Sequence, residues 1–386
     1  MGKVRVLQIL AGGNEYNGVS DFLLSHYAYM DRDAVQFDFV FCRSNTMKLR
    51  QQEDFLADSK FIELNTDLTK KANHPMELVN KVRDVVQREK PDIVHINTGS
   101  ISITARCLLG AKRGGADRII SHSHNTDPLT ISSNPLKKNV KKIANSLMRY
   151  YIRRNSTLIL ACSDEAGEYL CGKQVLKSKK YSLAKNAIHT DAFLYNGAAR
   201  ERLRREFQIG PDTTLFGCVG RFSRQKNHLF LIDVFHQYQK KHPDSLLWLV
   251  GEGDTREAVQ RKVNELGLTE KVVFLGQRKD VNELLQAMDV FVLTSIYEGL
   301  GIVSIEAQAS GLPVFLPDEI SHGSDISPLA HFIPLSAGAD FWAESIGKVL
   351  GQQGVRQNMR NTIVESGYDI SKAAKRLEKI YIKLGR

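Results

Sequence analysis

Glu298 and Glu306 stand eight residues apart in the run Ser295–Ala307, with Gly299, Leu300 and Gly301 between them, after the apolar stretch Val290–Leu293 and ahead of helix-forming sequence. A strand that feeds a glycine turn and then a helix presents unpaired backbone N–H groups and the positive end of the helix dipole, which suit a phosphate or an electron-rich hydroxyl. Each carboxylate there is suited to accept hydrogen bonds from sugar hydroxyls; the plainer alternative is a capping Glu298 and a solvated Glu306. Arg221 and Lys226 make a second pair, five residues apart after the strand-like Leu215–Val219. A guanidinium and an ammonium at a strand's carboxyl end would neutralise a diphosphate, one by bidentate contact and one as a point charge. The alternative is a polar turn with solvated charges, and the Walker pattern is absent. A third turn, Ala11–Val19, carries Gly12, Gly13 and Gly18 but lacks the spacing of a dinucleotide fingerprint, so a plain tight turn competes with a phosphate loop.

His122 and His124 follow the strand-like Arg118–Ser121. They are expected to face opposite sides and so not to share a metal, with one of them, at the strand end, hydrogen bonding or handling a proton. A core or loop histidine is the alternative. From Pro128 to Ser163 there is no acidic residue, and Lys137, Lys138, Lys141, Lys142, Arg149, Arg153 and Arg154 alternate with Leu136, Val140, Ile143, Leu147 and neighbouring apolar residues. That basic amphipathic helix suits adsorption to anionic lipid headgroups, against the alternative of a solvated basic face over a core stripe. No recognition module accompanies the charge, so nucleic acid is not expected as a partner.

The elements that must position these residues are short apolar runs alternating with helical patterns. Val4–Leu10, Phe37–Cys42, Ile93–Ile96, Arg118–Ser121 and Thr157–Ala161 read as strands, and a second series reads so at Leu215–Val219, Leu246–Val250, Val272–Phe274, Val290–Leu293 and Pro313–Leu316. Continuously apolar strands between helices predict parallel sheets covered on both faces. At 386 residues one core is not expected, so two doubly wound domains are predicted, with a linker near 186–198 and a ligand cleft between them. A stripe at Ala374, Leu377, Ile380, Tyr381 and Leu384 predicts a surface helix.

Composition, 42% hydrophobic and 25% charged, is that of a folded globular chain. The formal charge of +10 is uneven, with 29 Lys and Arg against 19 Asp and Glu in residues 1–190 and 24 against 24 thereafter, which points to an anionic partner for the first part. No 18-residue apolar window and no signal-peptide pattern occur, and five cysteines without a Cys-x-x-Cys fit a reducing cytosol.

Together these residues resemble glycosyltransferase family 4, retaining sugar transferases of the GT-B fold, in particular bacterial members that build capsular and exopolysaccharide. The resemblance spans nearly the whole chain. It rests on Tyr297–Leu300 through Glu306–Pro313, similar to the family's Glu-x₇-Glu motif, with Val219–Phe222, Gln225–His228, Ser121–Thr126 and Gln286–Phe291. It implies two Rossmann-like domains, residues 1–187 with 370–386 for the acceptor and 188–369 for the donor, the last helix crossing back to the first domain. By the resemblance Arg221 and Lys226 hold the donor diphosphate, Glu306 the ribose, and Glu298 with Gly299–Gly301 the transferred sugar. Gly18 lies near the phosphates, Gly251 and Glu252 near the base, and His124 beside the reacting sugar. Asn17 and Lys185 depart from the family pattern, which touches the N-terminal loop and the interdomain segment.

Asp31-Arg32-Asp33 matches a short acidic pattern of metal-dependent sugar transferases but reads here as a solvated helix end, so neither metal nor cofactor is expected. The resemblance further implies a UDP-sugar donor and a polyprenyl-diphosphate-linked saccharide acceptor, while the cysteine usage and the basic helix lead us to expect a cytoplasmic enzyme on the inner face of the membrane. The competing functions are a nucleotide-sugar 2-epimerase and a non-catalytic sugar-nucleotide-binding partner of another transferase.

Overall fold

A computed structural model describes residues 2–10, 18–41, 56–66, 75–124, 135–298, 300–352 and 354–386. The chain divides into two compact units, Met1–Asn186 with Ile370–Arg386, and Ala187–Asp369. In the first, the described strands are β1 Val4–Leu10, β2 Val35–Phe41, β3 Phe61–Glu63, β4 Ile93–Thr98, β5 Ile119–Ser123, β6 Leu158–Ala161 and β7 Tyr181–Leu183, in spatial order β3-β2-β1-β4-β5-β6-β7. All pairs are parallel. Helices Gly18–Ala28, Pro75–Glu89, Ile101–Arg113, Pro135–Asn155 and Asp164–Cys171 connect them. A parallel sheet so connected is buried on both faces, and the burial of almost every residue of β1, β2, β4 and β5 follows from that. The register sets Gln8 opposite His95 and Asn97 opposite His122, so four polar side chains share the middle of this sheet.

The last helix, Ile370–Gly385, belongs to the first unit. Ala374, Leu377 and Tyr381 are buried in one cluster with Val6, Leu10 and Phe37, and the Tyr381 ring meets Phe37 edge-on at 5.5 Å. Burying Leu377 and Tyr381 contributes about 1.5–3 kcal/mol each. Glu378, also buried, accepts a 2.6 Å hydrogen bond from the backbone N–H of Asp31, which ties the helix to the turn after Gly18–Ala28. The acidic triplet Asp31–Asp33 is thus the anchor of that turn, with Asp33 paired to Lys3 at 3.5 Å. The helix is therefore less of a surface element than its stripe suggested, although Ile380 stays half-exposed.

The second unit has β8 Thr214–Val219, β9 Ser245–Val250, β10 Val272–Gly276, β11 Val290–Val292, β12 Val314–Pro317 and β13 Ala330–Ile333, all parallel in the order β10-β9-β8-β11-β12-β13. Strand order reverses between β8 and β11, the position beside which such sheets bind ligands. Its core holds both tryptophans of the chain, Trp248 and Trp342. Asp289, the residue before β11, closes an ionic knot: Arg200 at 2.5 Å, Arg204 at 3.0 Å and the backbone N–H of Leu215 at 2.7 Å all meet its carboxylate.

Two expectations change. Most of 186–198 is not linker: Ile188 is buried beside Leu300 and Tyr368, its N–H donates to the Tyr368 carbonyl at 2.8 Å, and helices Thr190–Phe193 and Gly197–Glu206 follow. The edge strands β3, β7 and β13 were not predicted, because three or four half-buried residues carry too little apolar signal.

Candidate functional site

In the second unit the turns at the carboxyl ends of β8, β9 and β11 are joined by main-chain bonds. Gly220 N–H donates to Val250 O at 2.9 Å, Phe222 N–H to Glu252 O at 3.0 Å, and Ile296 N–H to Gln225 O at 2.8 Å. The Gln225 amide donates to Tyr297 O at 3.0 Å, and the Thr294 hydroxyl to Asn227 O at 3.1 Å. Gly251 has φ +141° and a Cβ there would lie 2.1 Å from Gly220 O; Gly253, at φ +154°, would place one 2.2 Å from Phe222 O. Only glycine fits either position. Gly251→Ala is expected to spread the turns and cut turnover at least tenfold, whereas Gly267→Ala, whose Cβ would meet nothing, serves as the control for backbone strain alone. Equal rates in the two variants would remove the turn from the site.

This frame brings two of the expected residues together. Lys226 Nζ lies 2.5 Å from Glu298 Oε1, and the Ser295 hydroxyl donates to the same oxygen at 2.8 Å. The side chains are 17% and 10% exposed, so the pair is screened from bulk water yet reachable. It spans the switch point, since Lys226 follows β8 and Glu298 follows β11. Helix His228–Lys241 starts from Asn227 and helix Ile302–Ala309 from Gly301, both in the left-handed conformation and neither with a side-chain cap. Phe230 and Ser304 N–H already turn back to the Asn227 and Gly301 carbonyls, which leaves the leading N–H groups of each helix to face an electronegative ligand. The neighbouring groups stay neutral: burial, with Lys226 adding to it, lowers His228 to about 4, and burial pushes the Cys218 thiol up to about 12.

The other expected residues are placed differently. Arg221 is exposed and reaches Asp254 at 3.3 Å, not the Lys226–Glu298 pair. Glu252 is exposed and pairs with Arg256 at 3.6 Å. Glu306 is half-buried in the second turn of its helix. The Leu300 side chain is buried with Ile188, Ile305, Met359 and Tyr368, so only its main chain remains for a ligand. Gly301 caps its helix, Gly18 opens Gly18–Ala28, and Gly299 lies outside the described residues. Ser295 and Asp254 were not singled out from sequence, although Ser295 stands within the Glu298 motif itself.

In the first unit His124 lies just past β5, half-buried, with Nε2 3.0 Å from Asn97 Oδ1. The expectation that His122 and His124 face opposite sides is wrong. Alternate positions along a strand share a face, and the two rings sit 3.8 Å apart. Burial lowers His124 to about 3 and His26 to about 4, and holds His95 and His122 well below the ordinary value. These rings refuse protons that the unfolded chain accepts near 6.5. Their contribution to stability is whole above that pH and is lost as pH falls from about 6.5 toward 4. The denaturation midpoint followed by circular dichroism is expected to drop steadily between pH 7.5 and 5; a flat profile would contradict neutral buried rings.

The basic helix Pro135–Asn155 needs one correction. Arg149 donates to Tyr169 O at 2.9 Å and Arg153 to Cys171 O, capping the carbonyl end of the next helix rather than facing outward. Lys141, Lys142 and Arg154 remain exposed, while the side chains of Lys137 and Lys138 lie outside the described residues. Val140, Ile143, Leu147 and Tyr150 are exposed by 57–68%, on the face opposite the buried Ile152. No described helix is long and apolar enough to cross a membrane.

Comparisons with known proteins agree with this architecture. The family model described as Glycosyltransferase Family 4 matches residues 16–192, and that described as Glycosyl transferases group 1 matches 199–365. EpsF of Bacillus subtilis (strain 168) is 29% identical over 98% of this chain and 96% of its own length. An Escherichia coli protein named UDP-Gal:alpha-D-GlcNAc-diphosphoundecaprenol alpha-1,3-galactosyltransferase is 23% identical over 78% of this chain and 77% of its own. Anabaena HepE, crystallised with UDP and glucose, superposes with a TM-score of 0.74 at 17% identity, covering 98% of this chain and 99% of that one. With one family model on each unit and a whole-chain relative besides, this chain belongs to glycosyltransferase family 4 and has the GT-B fold.

Proposed function

We propose that the chain moves a sugar, with retention and without a metal, from a UDP-linked donor to a lipid-linked saccharide in capsular or exopolysaccharide synthesis. The observation that carries this is the Lys226–Glu298 pair at the switch point of the second sheet. An ammonium has three donors. One meets Glu298, and the others are available to the oxygens of a leaving diphosphate, whose negative charge grows as the glycosidic bond breaks. Glu298, steadied by Ser295, is the carboxylate that orients the sugar hydroxyls. Arg221, on its exposed turn, adds a second cation, and Glu306 takes the ribose. In this reading the second unit binds donor and the first, with His124, the acceptor side. The names of the Escherichia coli relative and of the HepE complex support UDP and a diphosphoundecaprenol acceptor. Screening nucleoside diphosphate sugars for nucleotide release tests the donor. UDP-sugars are expected to react, to react equally with EDTA present, and to give a product of unchanged anomeric configuration. Strict dependence on a divalent ion or an inverted product would refute the mechanism.

The same proposal sets the first unit on an anionic membrane through Pro135–Asn155. Its support is the exposed stripe Val140, Ile143, Leu147 and Tyr150 beside Lys141 and Lys142, the arrangement of a helix lying in a lipid interface. Changing Lys137, Lys138, Lys141 and Lys142 to Glu is expected to abolish sedimentation with phosphatidylglycerol vesicles at low salt. Undiminished binding would refute the orientation.

A further inference from the structure

Five polar side chains of the first unit form one continuous series of hydrogen bonds. His124 Nε2 is 3.0 Å from Asn97 Oδ1, Asn97 Nδ2 is 2.9 Å from Gln8 Oε1, Gln8 Nε2 is 3.2 Å from the Tyr381 hydroxyl, and that hydroxyl is 2.7 Å from His95 Nδ1. Gln8, His95, Asn97 and Tyr381 are 0–1% exposed, so no water competes for these groups. Two amides, a phenol and two imidazoles are able to run such a series in either direction, because each amide reverses and each ring has two tautomers. In one direction His124 donates through Nε2; in the other it accepts there.

One further contact breaks the tie. Asn97 Nδ2 also lies 3.3 Å from the main-chain oxygen of His95. A carbonyl oxygen only accepts, so the Asn97 amide must turn its NH₂ to it; reversed, two oxygens would face each other in a buried site. Asn97 Oδ1 is thereby aimed at His124 and only accepts. Nε2 must carry the His124 proton, and Nδ1 keeps the lone pair. From the same fixed point Gln8 accepts from Asn97 and donates to Tyr381, whose O–H is left with His95 Nδ1 alone. Among the described residues His124 Nδ1 has no hydrogen-bond partner, although the His122 ring lies beside it.

We propose that Asn97, its amide turned by the His95 carbonyl, locks His124 as the Nε2–H tautomer and leaves the lone pair on Nδ1. Asn97 is then a positioning residue for transfer, while Gln8 and Tyr381 take their directions from it, an inference that rests on His124 standing beside the reacting sugar. The test uses the full chain with ¹⁵N-labelled histidine and long-range ¹H–¹⁵N correlation, the His124 signals being assigned by their loss in His124→Gln. The wild type is expected to show His124 as Nε2–H. Asn97→Leu, of similar size but without an acceptor, should give mixed tautomers and lower kcat on the order of tenfold, with KM for the donor sugar little changed. Asn97→Asp still accepts from Nε2–H and should keep the single tautomer, although its second oxygen, set against the His95 carbonyl, is expected to lower stability. Tyr381→Phe keeps the ring and the fold; it should mix the tautomers of His95 but not those of His124. An Nδ1–H signal for His124 in the wild type, an unaltered tautomer in Asn97→Leu, or scrambling of His124 by Tyr381→Phe would each overturn the relay. Wild-type transfer by His124→Gln would instead refute the placement of His124 at the sugar, while the wild-type tautomer still decides the relay.

Discussion

Lys226→Ala is expected to lower turnover about 10²–10³-fold with the fold retained, the range found when one preorganised charge-stabilising group is removed from an active site. Lys226 supplies the cation that the geometry places beside Glu298, and the other candidate, Arg221, stands on an exposed turn with Asp254 as its partner. Lys226→Arg should recover little, because a planar fork does not reproduce a compact ammonium held 2.5 Å from Glu298. The fold is expected to survive because Glu298 keeps Ser295 as a donor and the turn is held by main-chain bonds that do not involve the Lys226 side chain. The measurement is nucleotide release by purified variants of matched circular dichroism. A turnover within threefold of wild type would take Lys226 out of the chemistry. Glu298→Gln completes the argument: it keeps Ser295 and the shape but drops the charge, and should also lose turnover by orders of magnitude if the carboxylate orients sugar hydroxyls.

The largest expected effect on stability lies away from the site. Asp289→Ala should destabilise the second unit by about 3–5 kcal/mol, the usual result of leaving a buried charge without its counterion. Two guanidiniums and the N–H of Leu215 converge on this carboxylate, and Arg204, only 8% exposed, has no water to turn to. Arg204 also donates to Ala287 O, Gly210 O and Thr213 O, so its loss of position would loosen three turns together. Because both tryptophans are in this unit, urea unfolding followed by their fluorescence reads the effect directly. A midpoint unchanged from wild type would show the knot to be dispensable.

How much of this was legible in the sequence depended on whether local pattern or distant pairing decided the outcome. Val4–Leu10 coincides with β1 because a strand buried on both faces is apolar without interruption. The edge strands have no such signature. Lys226 and Glu298 were each recognisable within their own motif, but their contact depends on β8 neighbouring β11, which no local spacing encodes. Arg149 and Arg153 looked like the other cations of their helix until the carbonyls of Tyr169 and Cys171 were found within reach. The relay behind His124 draws on three strands and the last helix, so Asn97 and Gln8 gave no sequence signal, and Tyr381 showed only as one residue of an apolar helix stripe. The misassigned faces of His122 and His124 are another matter, since period-two geometry already contained the answer.

The second unit is one unbroken stretch of chain, whereas the first is assembled from both sides of it. A ribosome therefore completes Ala187–Asp369 before Ile370–Gly385 exists. The nascent first unit must wait through that interval with the apolar cluster around Val6, Leu10 and Phe37 uncovered, and with Gln8 and His95 lacking their phenol. The order of synthesis makes the central piece the early folder and the outer one the late folder, and it makes the interval between them the moment of greatest exposure to aggregation or to chaperones.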